Sequence, residues 1–227
     1  MFYYHWSYLL LIPGMLLMFW AQNRVQGTYR KYSEIPSTMG MTGAQVAATI
    51  LKRMGVHDVA VEPVAGELTD HYDPSAKAVR LSEGIYNSNS LAAAAVAAHE
   101  CGHVLQDVEG YKPMNLRAAL VPAANLGSNL GPLLVMAGLI FGAVNVLIPI
   151  GIAMFAAVII FHLVTLPVEF DASSRALQLI DQLGILQGEE NRAARQVLNA
   201  AALTYVATAL YAVLQLAQYI LLSRDRN

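Results

Sequence analysis

The run SLAAAAVAAHECGHVLQD, Ser90 to Asp107, decides how the rest of the chain is read. Ser90 is a good N-cap, alanine is the strongest helix former, and Gly110 and Pro113 follow, so the spacing predicts a helix over Leu91–Asp107. Within it stands His99-Glu100-Cys101-Gly102-His103, the HExxH pattern. On a helix, positions i and i+4 lie about 40° apart on one face, so both imidazoles can hold one zinc ion. Glu100 can then reach a water bound to that ion. The metal lowers the water's pKa toward about 7, and the carboxylate can take its proton for attack on an amide carbonyl and return it to the leaving amine. The flanks fit a buried metal helix, since Ala97, Gly102 and Val104 are uncharged and Val96 and Leu105 are apolar. Cys101 lies off the ligand face and reads as a small packing residue rather than a fourth ligand.

Outward from this helix the composition divides. Of 227 residues, 56% are hydrophobic and only 13% charged, about half the usual share of charge. Residues 1–23, 118–168 and 196–223 contain no Asp, Glu, Lys or Arg, and the remaining residues carry an ordinary soluble density. A bilayer core needs about 20 helical residues. The first block therefore fits one span, Tyr4 to Ala21, and the second fits two with a turn near Asn145 and Pro149, Leu120 to Gly142 and Val146 to Leu166. The last gives Leu203 to Leu222. Phe2, Tyr3, Tyr4, Trp6 and Tyr8 crowd one end of the first block and Trp20 the other, as an interfacial belt would. No basic residue precedes that block and no small-residue cleavage site follows it, which reads as a retained anchor rather than a signal peptide.

Lys and Arg number nine in residues 24–117 and three in 169–195, while the C-terminal tail holds Arg224 and Arg226. That asymmetry places 24–117 and 169–195 in the cytoplasm and both termini outside. The resulting organisation is an anchor over 1–23, a peptidase-like domain over 24–117, two spans over 118–168, a helical segment over 169–202, and a last span with its tail over 203–227. The formal charge of -2 and the single cysteine argue against a disordered chain, a nucleic-acid binder and a disulfide or Cys-rich zinc module.

The charged part reads as a small α+β unit. Thr42 and Gln45 make a capping box before a helix over Ala44–Met54 that stops at Gly55. Val59 to Val64 has strand composition, and LTDHYDPSAKAVRLS reads as two short strands around Asp73-Pro74-Ser75. The fold class is thus an α+β membrane protein, four transmembrane helices with a cytoplasmic zincin-like domain built on the HExxH helix and a short hairpin or sheet.

A catalytic zinc site wants a third protein ligand and an open position. His5, His57, His71 and His162 remain, with several carboxylates. Glu169 is the first charge after the long uncharged block, on the same membrane face as His99 and His103 in this topology, and Asp171 is its rival. His162, inside a span two turns before Glu169, is a candidate cavity lining or a hydrogen-bond partner of Asn125 or Asn129. Asn199, Thr204 and Tyr205 carry the same two readings. Arg175 is a candidate for a contact that supports a ligand, and Asp181 reads as a helix-face charge.

The segments LTDHYDP, KAVRLS, AAAAVAAHECGHVLQ, LPVEFDASSRAL and LNAAALTYVATAL, in this order, resemble the bacterial membrane zinc metallopeptidases of the YugP type, over most of the chain. That family is similar, more distantly, to the HtpX and CAAX-prenyl endopeptidases, gluzincins whose helix after HExxH carries a Glu-Phe-x-Ala-Asp signature. The resemblance implies one zinc ion held by His99, His103 and Glu169, with Glu100 as the base. Where the relatives have Asp to support a ligand histidine, this chain has Ser173, so Asp171 or Ser173 is the candidate for that role. It also implies an edge strand that pairs with an extended substrate, Leu68 to Asp73 or Val79 to Leu81, with His71 and Tyr72 as candidate oxyanion donors.

The leading expectation is an integral-membrane zinc endopeptidase of the bacterial inner membrane, active at the cytoplasmic surface on membrane or membrane-adjacent proteins. A role in membrane-protein quality control would follow from the HtpX-like resemblance. The alternative is a non-proteolytic membrane scaffold or partner-binding protein with a structural zinc. An intact Glu100 argues against it, because a structural site needs no base. Partners implied are a protein or peptide substrate, the bilayer, and a homo-oligomer or membrane scaffold partner, with no nucleic acid.

Overall fold

A computed structural model describes residues 5–224, with Val144 by its backbone alone. Phe2, Tyr3, Tyr4 and Arg226 lie outside the described residues. The chain divides into two compact units, the described parts of Met1–Gln22, Lys112–Pro167 and Leu203–Asn227 in one, and Asn23–Tyr111 with Val168–Ala202 in the other.

The second unit holds the sheet. Helix α1 (Leu11–Ser33) ends in it, and α2 (Gly43–Arg53) begins with the expected reciprocal cap, Thr42 Oγ1 accepting from Gln45 N and Gln45 Oε1 from Thr42 N. Strands β1 (Ala60–Val64), β2 (His71–Asp73) and β3 (Ala78–Ser82) form a sheet of order β1-β3-β2, parallel between β1 and β3 and antiparallel between β2 and β3. The β2–β3 turn is tied by Asp73, whose Oδ1 accepts from Ser75 N and Ala76 N while Oδ2 takes Arg80. β3 is paired on both sides, so Val79 to Leu81 is the centre of the sheet and has no free edge for a substrate; β2 and β1 are the edges. A short α3 (Glu83–Tyr86) leads to α4 (Leu91–Val108), capped by Ser90 Oγ accepting from Ala93 N. Nearly all of α4 is buried, because its alanines let neighbours approach on every side.

Pro113 does not close α4. It sits in the first turn of α5 (Lys112–Phe141), a position that needs no backbone N–H. The turn before α6 (Val144–Gln182) falls at Gly142, φ +71°, rather than at Asn145 and Pro149, since glycine accepts the left-handed conformation and Pro149 is accommodated inside α6. Helix α6 then runs without a break past Glu169, and α7 (Glu189–Arg224) begins well before Leu203, so both outlast their apolar stretches.

Among the described residues three helices are long and apolar enough to cross a membrane, α5, α6 and α7. Helix α1 falls short: Trp6–Leu10 is a 3-10 turn, and beyond Ala21 the helix carries Gln22, Asn23 and Arg24. In this first unit α5 and α6 meet through small residues, Gly127 against Met154 O and Gly151 against Gly131 O. Leu133, Met136, Ile140 and Leu163 are more than half exposed, a surface suited to lipid.

Candidate metal centre

α4 presents His99 and His103 on one face, and α6 brings Glu169 to them. The close approach depends on Gly102, where a Cβ would lie 2.5 Å from Ala172 O and 3.1 Å from Ala172 Cα. Without a side chain there, the α6 backbone rests directly on α4. His99 Nε2 and His103 Nε2 then stand 3.3 and 3.7 Å from Glu169 Oε2, and the ligand atoms of the three residues all lie within 4.8 Å of one another. Two ligands at about 2.05 Å in a tetrahedral zinc site are separated by about 3.3 Å, so the spacing fits that ion. Glu169 is only 3% exposed, and burying a carboxylate this deeply is costly without a cation to face.

The Nδ1 sides of both rings are held from behind. His103 Nδ1 donates to Gln106 Oε1 at 2.9 Å, and Gln106 Nε2 donates to Val168 O and Asp171 Oδ2, each at 2.8 Å. Both of those partners can only accept, so the amide nitrogen must face them and its oxygen must face the ring. That fixes the proton on Nδ1 and leaves the Nε2 lone pair for a metal. Asp171 is held in turn by Arg175 Nε at 2.6 Å, and Arg175 also reaches Glu109. Ser173 Oγ lies 3.2 Å from His99 Nδ1. Burial alone would push the His103 imidazole below its usual pKa, but Glu169 and Glu100 outweigh it and hold the group above.

The structure therefore brings together His99, His103 and Glu169. It sets Asp171 behind Gln106, as a support for His103, and Ser173 behind His99. Glu100 is 6% exposed, and its side chain makes no hydrogen bond among the described residues. Cys101 is fully buried with Sγ 3.7 Å from Ala47 O, packing α4 on α2. His71 is exposed on β2 with Nδ1 donating to Thr69 O, and the Tyr72 hydroxyl donates to Asp107 Oδ2 at 2.8 Å, so both are already engaged. Asn129 Nδ2 donates to Asn125 O within α5, and His162 is half-buried beside Phe161. Gln106 and Gly102 were missed as functional residues. The signal was present, one turn beyond His103 and inside the motif, but its meaning depends on what α6 places opposite.

The fold and this donor set define a membrane-associated protein with a candidate zinc site. The chain belongs to the family described as "Putative neutral zinc metallopeptidase", whose model matches residues 7–224. It is 46% identical over 221 residues to "Putative membrane protease YugP" of Bacillus subtilis (strain 168), covering 96% of this chain and 98% of that one. No solved structure matches. The YugP-type resemblance is thereby shown, zinc is the cofactor of the family, and the names of family and relative support a protease.

Proposed function

We propose that the chain is an integral-membrane zinc endopeptidase of gluzincin type, with His99, His103 and Glu169 holding the metal and Glu100 acting as base. The observation that carries this is the convergence of two imidazole nitrogens and one carboxylate oxygen, with the buried Glu100 carboxylate next to His103 and in no hydrogen bond or ion pair with another side chain among the described residues. Bound there, zinc supplies Lewis acidity, which activates a water and polarises a carbonyl at neutral pH. Glu100 takes the proton from the attacking water and delivers it to the leaving amine. Gln106 and Ser173 keep the imidazoles aimed, and Asp171 with Arg175 keeps Gln106 aimed.

Although its helix is less apolar than α5, α6 and α7, the first apolar block is read as a fourth crossing; α5 and α6 put residues 24–117 and 169–195 on one face, read as the cytoplasmic one, with the substrates among membrane and membrane-adjacent proteins. The excess of Lys and Arg in those segments supports that orientation. The only cysteine is buried, so single cysteines introduced at Lys52 or Asp58 can be labelled in intact cells against a low background; labelling from outside would overturn the orientation. For the chemistry, the purified zinc-loaded protein is compared with Glu100→Gln on an unfolded substrate. A loss of about 10²–10⁴-fold at unchanged zinc content is expected, and equal activity, or none in either, would sink the protease reading.

A further inference from the structure

The stretch of α6 that belongs to the zinc-site unit is tied to α7 by Asn191, whose Nδ2 donates to Leu177 O at 3.0 Å. The two helices follow one another through a short turn and run antiparallel. One turn back along α6 from Leu177 is Ser173, and one turn on along α7 from Asn191 is Arg195, so this bond sets Arg195 opposite Ser173. Both line an open, largely polar pocket of about 250 Å³, with Asn199 and Ser174 beside them. Ser173 is also the residue in contact with His99 Nδ1. His99 is the most exposed of the three converging side chains, at 16% against 10% for His103 and 3% for Glu169. Ser173 thereby links this pocket to the most exposed of the three converging side chains.

The pocket's charge is unspent. Arg195 is exposed and makes no ion pair among the described residues, whereas Arg175 is tied to Asp171, Arg192 to Glu189, Lys77 to Asp107 and Arg80 to Asp73. The carboxylate that lines the same pocket, Asp181, lies two turns along α6 from Ser173, about 12 Å by helix rise. A guanidinium offers two parallel N–H donors that match a carboxylate, and the side-chain amide of Asn199 adds a neutral donor one turn further along α7.

We propose that this pocket is a substrate subsite that takes a carboxylate, either an acidic side chain near the scissile bond or the free C-terminus of a substrate, with Arg195 as the residue that selects it. The proposal rests on the protease reading. Its test uses the full-length zinc-loaded protein in detergent with peptides that carry Glu or Gln at one position, each made with a free or an amidated C-terminus. The expected result is kcat/KM higher by about tenfold to a hundredfold for the carboxylate-bearing peptide, expressed in KM, with the preference abolished in Arg195→Gln at retained zinc content and turned toward a Lys peptide in Arg195→Glu. A preference that follows the free C-terminus assigns that source; one that follows Glu assigns the side chain. Equal kcat/KM for all peptides, or a preference that survives Arg195→Gln, overturns the proposal. Binding of the same labelled peptides to the Glu100→Gln protein separates the two readings. Tighter binding of the carboxylate peptide that is lost in Glu100→Gln/Arg195→Gln upholds the subsite even if no peptide is cut, and equal binding overturns it.

Discussion

Two helix contacts in this molecule are built the same way and do different things. In the zinc-site unit α4 lies on α6 through Gly102 against Ala172, and in the apolar unit α5 lies on α6 through Gly127 against Met154. Each glycine is there because a Cβ would meet backbone. Around Gly102 the contact brings His99, His103, Gln106, Glu169 and Asp171 together, whereas around Gly127 it brings together Val158 and the backbone of α6. Close packing is thus a scaffold for chemistry in one place and a bond between apolar helices in the other. The difference lies in which side chains the approach makes neighbours.

The contact at Gly102 is the one whose loss should cost most. Gly102→Val would push α6 away from α4, and we expect zinc stoichiometry near zero with peptidase activity lost; a variant that keeps its zinc would show that the approach is not needed. Next comes Gln106→Leu, which removes the group fixing the His103 tautomer. Zinc affinity should fall about 10–100-fold, read by chelator competition, with little change in secondary structure. Asp171→Asn should act in the same direction and less, since an amide can still turn its oxygen toward Gln106 but no longer carries the charge that holds Arg175.

At the other contact, Gly127→Ala should cost about 1–3 kcal/mol of stability by overpacking while zinc content stays unchanged. Loss of zinc in that variant would mean that the two contacts are not separate devices.

The smallest effect concerns Asp107, which ties β2 and β3 to α4 through Tyr72 and Lys77. Burial raises its carboxyl pKa, but the bonds from Lys77 and Tyr72 outweigh it and leave the group below its ordinary value, while burial and Asp107 push the Tyr72 hydroxyl up to about 12. A carboxylate with a depressed folded pKa stabilises above its unfolded value near 4, and that contribution is lost as pH falls through the folded value. Asp107→Asn should therefore lower Tm by about a degree or two at pH 6–8, with the gap closing below about pH 4. A gap that widens in acid would contradict the assignment.

Much of the zinc-site unit was legible in the chain because its signals are local. The Thr42–Gln45 cap, the hairpin around Asp73-Pro74-Ser75 and the Ser90-capped helix each depend on residues a few positions apart, and all three appear as read. Misreadings came where a local cue had two meanings. Pro113 and Pro149 read as breakers, yet each sits inside a helix: Pro113 falls in the first turn of α5, where no backbone N–H is needed, while Pro149 lies beyond the first turn of α6 and the helix continues through it at the loss of one backbone bond. Of the two candidate substrate edges, Val79 to Leu81 is ruled out because β1 pairs with β3 from a distance no local pattern encodes, while β2, within Leu68 to Asp73, is an edge.

By itself the sequence determined that this chain carries HExxH on a buried helix and long uncharged blocks, because an i, i+4 ligand pair and a run of apolar residues are properties of adjacent positions. It left Glu169 and Asp171 as rivals, since two residues apart on one helix they differ only in facing. Tertiary structure decided between their surroundings: the glycine contact at Gly102 turns Glu169 toward the imidazoles and leaves Asp171 to Gln106 and Arg175. Facing is a property of what lies opposite, and what lies opposite is set only when the two helices pack.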